Sequence, residues 1–167
     1  MSPGAHRREN DRQPAETARL LVLEQHVQLR RMLSMGLVQA RQSAAGDGGQ
    51  EPLRNLVGLI RDLFVQHLAD EEALIVPILD DDLPVGPLRV EALREEHERQ
   101  RSALETLCAW PEEGSDLELA ARFETLATTL LGDIAQEERE LLTPEVIRDD
   151  RAEHGMRHAG SLGRRSP

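Results

Sequence analysis

Hydrophobic residues recur along the chain at steps of three and four, in four blocks separated by polar breaks rich in Gly and Pro. Pro14 is suited to a first helical turn, and Val22, His26, Leu29, Leu33 and Leu37 then keep one face to about Gln42, where AAGDGGQ interrupts it. Pro52 opens a second helix in the same way. On it Leu56, Leu59, Ile60, Leu63, His67, Glu71, Leu74 and Ile78 share a face as far as the break DDDLPVGP, and Pro77 is expected to tighten the last turn. A third helix is predicted from about Pro87 to Ala109, with Val90, Leu93, His97, Leu104 and Cys108 in line. After WPEEGSD, Ser115 or Asp116 can cap a fourth, which carries Leu119, Phe123, Leu126, Leu130, Asp133, Glu137 and Leu141 before Pro144 stops it. Four amphipathic helices with short connections predict an all-α, up-down-up-down four-helix bundle over residues 14–146. Residues 1–13 and 147–167 are polar, Arg-rich and aperiodic, and read as disordered tails.

Composition narrows this picture. A chain of 167 residues is sized for one domain. With 2% aromatic residues and no Tyr against 26 Leu, its core should be aliphatic and helical rather than that of a sandwich or barrel. The basic residues are 20 Arg and no Lys, against 31 acidic residues, for a formal charge of −11. Nucleic-acid coating needs a cationic face, so no nucleic-acid partner is expected. The N-terminal MSPGAHRREN lacks an apolar core, and no apolar run approaches the roughly 20 residues of a membrane span, so a cytoplasmic protein without membrane contact is expected. The single cysteine, Cys108, excludes an internal disulfide and a thiolate zinc cluster, and lies on the third stripe as a small core residue.

The informative feature is where the titratable groups fall. His26, His67, Glu71, His97, Asp133 and Glu137 lie inside apolar stripes, whereas Glu72 and Glu138 turn outward, suited to orienting an imidazole or pairing with Arg. The chain also repeats itself: EQHVQLRRML around His26 matches EEHERQRSAL around His97, and HLADEEALIVP from His67 matches DIAQEERELLTP from Asp133. Each half thus has a helix with one inward His, followed by a helix with His or Asp four residues before Glu. Groups four apart on a helix lie about 5–6 Å apart at Cβ, close enough to hold one ion or to bridge two. Two halves meeting about a pseudo-two-fold axis would form a two-metal arrangement. Imidazole with carboxylate suits iron, manganese or zinc. His154 and His158 also have i,i+4 spacing but lie in the Gly- and Arg-rich tail, and Asp80 to Asp82 lack EF-hand spacing.

These helix lengths, the single histidines His26 and His97, and the segment His67-Leu-Ala-Asp-Glu71-Glu72 followed by Pro77 resemble the hemerythrin-like, HHE cation-binding family over about residues 16–146. The resemblance implies a four-helix bundle around a non-haem di-iron centre bridged by two carboxylates and an oxo or hydroxo group. It implies His26, His67, His97, Glu71 and Glu137 as ligands, with Glu71 and Glu137 as the bridges. Asp133 stands where the family usually has His, and Arg101 where oxygen carriers have a further His. If Asp133 ligates, it makes the second metal position harder and more anionic. The function implied is binding of, or reaction with, dioxygen, peroxide or nitric oxide. A metal-responsive sensing bundle and a metal-free structural bundle are the alternatives from the residues themselves.

Overall fold

The computed structural model describes residues 14–47, 49–80 and 86–147. They form four long helices and one short one: α1 (Pro14–Ala44), α2 (Glu51–Leu74), α3 (Val76–Asp80), α4 (Gly86–Cys108) and α5 (Asp116–Glu140). The protein is all-α, and α1, α2, α4 and α5 pack as a bundle in which α1 touches α2 and α5, and α4 touches the same two. Neighbours run antiparallel. His26 on α1 meets Glu138 on α5, and Arg41 near the end of α1 lies 3.6 Å from Glu124. The expected tails and His154 and His158 lie outside the described residues, as do Asp81 and Asp82. Ile147, at the first position of the expected tail, is buried.

The helix termini follow local chemistry. Pro52 and Pro87 stand in first turns, where a missing N–H costs nothing. Ser115 caps α5, its side chain accepting from the Glu118 N–H at 3.4 Å. The expected continuation of the second helix to Ile78 is not what forms. The helix ends at Leu74, the Ile75 N–H closes on the Glu71 carbonyl, and Ile78 and Leu79 N–H both donate to the Ile75 carbonyl to start α3. Pro77 is the cause: it lacks an N–H, and its ring would clash with the carbonyl of residue 73 in an unbroken helix.

The α2 stripe is also rotated from the expected one. Leu53, Val57, Ile60, Phe64, His67, Leu68 and Glu71 are buried, Leu56 and Leu63 lie at the edge of the core, and Leu59 is 58% exposed. Cys108 is half-buried at the core margin, and burial raises its thiol pKa.

The apolar interior is divided in two. One cluster includes Leu29, Leu33, Phe64, Leu68, Leu104, Phe123, Leu130 and Ile134. The other includes Val22, Ile75, Leu79, Val90, Leu93, Leu142 and Ile147. On every long helix the crossover falls at a buried polar residue: His26 between Val22 and Leu29, Glu71 between Leu68 and Ile75, His97 between Leu93 and Leu104, Glu137 between Ile134 and Leu142. A polar layer thus crosses the bundle from all four sides. Burying such groups unpaired costs several kcal/mol each, so the layer is a stability liability that needs a compensating partner.

Candidate metal centre

Helical spacing aims the layer inward, and the close approaches are all through imidazole Nε2. His26 Nε2 lies 3.3 Å from Glu137 Oε2, His97 Nε2 lies 3.4 Å from Glu71 Oε2, and His67 Nε2 lies 3.7 Å from the same Glu71 oxygen. The His26 and His67 rings meet edge to face with centroids 4.9 Å apart. Ligand atoms of His26, His67 and Glu137 lie within 4.8 Å of one another, and so do those of Glu71, His97 and Glu137. Glu137 belongs to both groups.

The opposite ring nitrogens are all held from behind. Glu138 Oε1 lies 3.1 Å from His26 Nδ1, and the Glu138 carboxylate accepts one hydrogen bond from Arg30 on each oxygen, both at 2.7 Å. Glu72 Oε1 lies 2.8 Å from His97 Nδ1 and accepts from Arg101 at 2.7 Å. The two Arg–Glu–His chains are related by the sequence repeat, which pairs Arg30 with Arg101 and Glu138 with Glu72. His67 Nδ1 lies 3.2 Å from Gln25 Oε1, and the Gln25 amide donates to Asp70 at 2.6 Å. A proton on each Nδ1, directed to these oxygens, would leave each Nε2 with its lone pair for the centre.

Electrostatics follow the same division. Burial lowers the His67 pKa to about 4, leaving a neutral imidazole at neutral pH. Burial also works against the charged form of His97, but the Glu71 and Glu72 carboxylates outweigh it and raise its pKa. Burial raises Glu137. Glu138 is lowered by its bond from Arg30, and Glu72 is lowered by His97 and Arg101 in spite of burial.

The residues fit a bound cation. His26 Nε2, His97 Nε2, both oxygens of Glu71 and Glu137 Oε2 are buried without a hydrogen-bond partner, although they crowd one another. Five orphaned acceptors at the centre of a core are what positive charge would satisfy. Residues 18–143 match the family described as the hemerythrin HHE cation-binding domain. The chain belongs to that family. No curated protein and no solved structure matches it. This HHE domain therefore has buried His/Glu groups able to hold metal, drawn from α1, α2, α4 and α5.

Asp133 departs from the expected set. It lies in neither group, is only partly buried, and accepts from the Gln100 amide at 3.0 Å. Its carboxyl pKa is raised by burial against that hydrogen bond. The buried face of α5 runs through Phe123, Ala127, Leu130, Ile134 and Glu137, and Asp133 sits about 80° round the helix from Phe123. Gln25, Arg30 and Gln100 are residues that sequence reasoning missed; Gln100 is buried, with Oε1 unpartnered. The signal for Gln100 was available in the repeat, where it replaces Leu29 in the half that has Asp133 in place of His67.

Proposed function

We propose that this HHE domain holds two iron ions and takes up a small oxygen or nitrogen ligand: dioxygen, peroxide or nitric oxide. The observation that supports this best is the set of orphaned His and Glu atoms shared between two groups through Glu137. Imidazole and carboxylate without thiolate suit iron, with manganese or zinc as the other hard-to-borderline choices. Bound iron supplies redox chemistry and an open coordination position. The chain's residues do the rest. Glu137, common to both groups, would serve both ions, and Glu71, 3.4 Å from His97 Nε2 and 3.7 Å from His67 Nε2, would bridge with it; Glu72, Glu138 and Gln25 would hold the imidazoles in one tautomer; the two apolar clusters flank the layer on both sides. A metal-free structural role is disfavoured, because a purely structural network of this kind would pair its buried atoms. Among the described residues no helix is long and apolar enough to cross a membrane.

The test is anaerobic loading with ferrous ion, followed by metal analysis and exposure to air. Two irons per chain and a near-ultraviolet charge-transfer absorption are expected. Glu71→Ala and Glu137→Ala should each retain one iron or none. Absence of uptake by the unmodified protein, or unchanged uptake in both variants, would overturn the proposal.

A further inference from the structure

Five of the large hydrophobic side chains that the fold leaves exposed are on one helix: Leu20, Leu21, Val27, Met35 and Val38 of α1, at 40–65% exposure. Leu20, Val27 and Val38 share one line along the helix, with Met35 and Leu21 to one side of it. This stripe is on the face away from His26 and the core. It is interrupted by two exposed charges, Glu24 and Arg31, neither of which has an ion-pair partner among the described residues.

The stripe is self-complementary. About a two-fold axis passing between Val27 and Gln28, an antiparallel second α1 would bring Glu24 opposite the second copy's Arg31, and Arg31 opposite its Glu24. The same axis sets Leu20 against Met35, Leu21 against Ser34 and Thr17 against Val38. Leu20, Leu21, Met35 and Val38 then each meet an apolar or small partner, Val27 lies against Gln28 at the axis, and Glu24 and Arg31 neutralise each other across it. A parallel pairing would instead stack Glu24 on Glu24 and Arg31 on Arg31. Two-fold pairing of one surface with itself is the commonest way a chain associates with its own copy.

We infer that the outer face of α1 is a homodimer interface, with a second copy of this chain bound antiparallel through Leu20, Glu24, Val27, Arg31, Met35 and Val38. The contact is one helix face wide, so a reversible association rather than an obligate dimer is expected. It is independent of the metal centre, whose residues face the opposite side of the helix.

Sedimentation velocity on the full chain over a concentration series tests it. A reversible monomer–dimer equilibrium is expected. Glu24→Arg and Arg31→Glu should each weaken it by about tenfold or more, since each places like charges opposite one another twice per dimer. The double variant Glu24→Arg/Arg31→Glu should restore it. Both substituted positions lie in solvent, so helix content by circular dichroism should be unchanged in all three variants. In a Cys108→Ser background, nitroxides at position 28 should approach closely in the dimer, while those at position 38 should lie about 30 Å apart along the axis, from 1.5 Å per residue on either side of the two-fold. A chain monomeric at all concentrations overturns the inference. So does a dimer indifferent to the single reversals, one that the double reversal fails to restore, or one with equal short distances at both labels. A monomer that pairs only after removal of residues 148–167 would assign the stripe to that tail and overturn it equally.

Discussion

Each imidazole of the polar layer owes its orientation to a residue that does not face the centre. Glu138 and Glu72 fix His26 and His97 through Nδ1, and each carboxylate is itself anchored by an arginine one turn from the histidine it serves. Removing such a partner typically costs 10- to 100-fold in metal affinity. Glu72→Ala and Glu138→Ala should therefore each weaken metal binding by about that factor, read by competition with a chromophoric chelator, while Glu98→Ala on the exposed face should leave it unchanged. Asp133 is a sharper case. Lying in neither group and already engaged by Gln100, it predicts that Asp133→Asn retains the metal stoichiometry of the unmodified chain. Loss of one ion per chain in that variant would make Asp133 a ligand.

Glycines separate two kinds of helix position. A Cβ at Gly36 of α1 would clash with Phe123 Cζ, so α1 and α5 approach closely there, whereas nothing lies within 4 Å of the corresponding point at Gly58 of α2. Gly58→Ala should thus raise stability by about 0.5–1 kcal/mol, the ordinary gain from removing a helical glycine. Gly36→Ala forgoes that gain and overpacks a buried aromatic, for a net loss of about 1–3 kcal/mol. Thermal or denaturant melts of the two variants should move in opposite directions. At the start of α5, Ser115→Ala should cost about 1 kcal/mol through the lost bond to the Glu118 N–H.

The whole molecule is two apolar clusters joined through a layer of buried acid and imidazole, so its cohesion depends on what neutralises that layer. Metal bound to the folded state alone stabilises it in proportion to the logarithm of free metal over the dissociation constant. Melting temperature should therefore rise with added ferrous ion under argon and fall with chelator, and a temperature indifferent to both would remove the metal from the account. How much of this was legible in the sequence depends on scale. Helical periodicity by itself determined the four long helices and the inward placement of His26, His67, Glu71, His97 and Glu137, because spacing on a helix fixes which residues share a face. The duplicated motif likewise determined that two halves oppose. Only tertiary structure decided which of several apolar faces α2 would bury. Phe64 is inside and Leu59 outside because a helix apolar on more than one side takes the rotation its neighbours pack best. Only tertiary structure paired Gln100 with Asp133, since that contact joins α4 to α5 across 33 residues and depends on interhelical register, which no local pattern encodes.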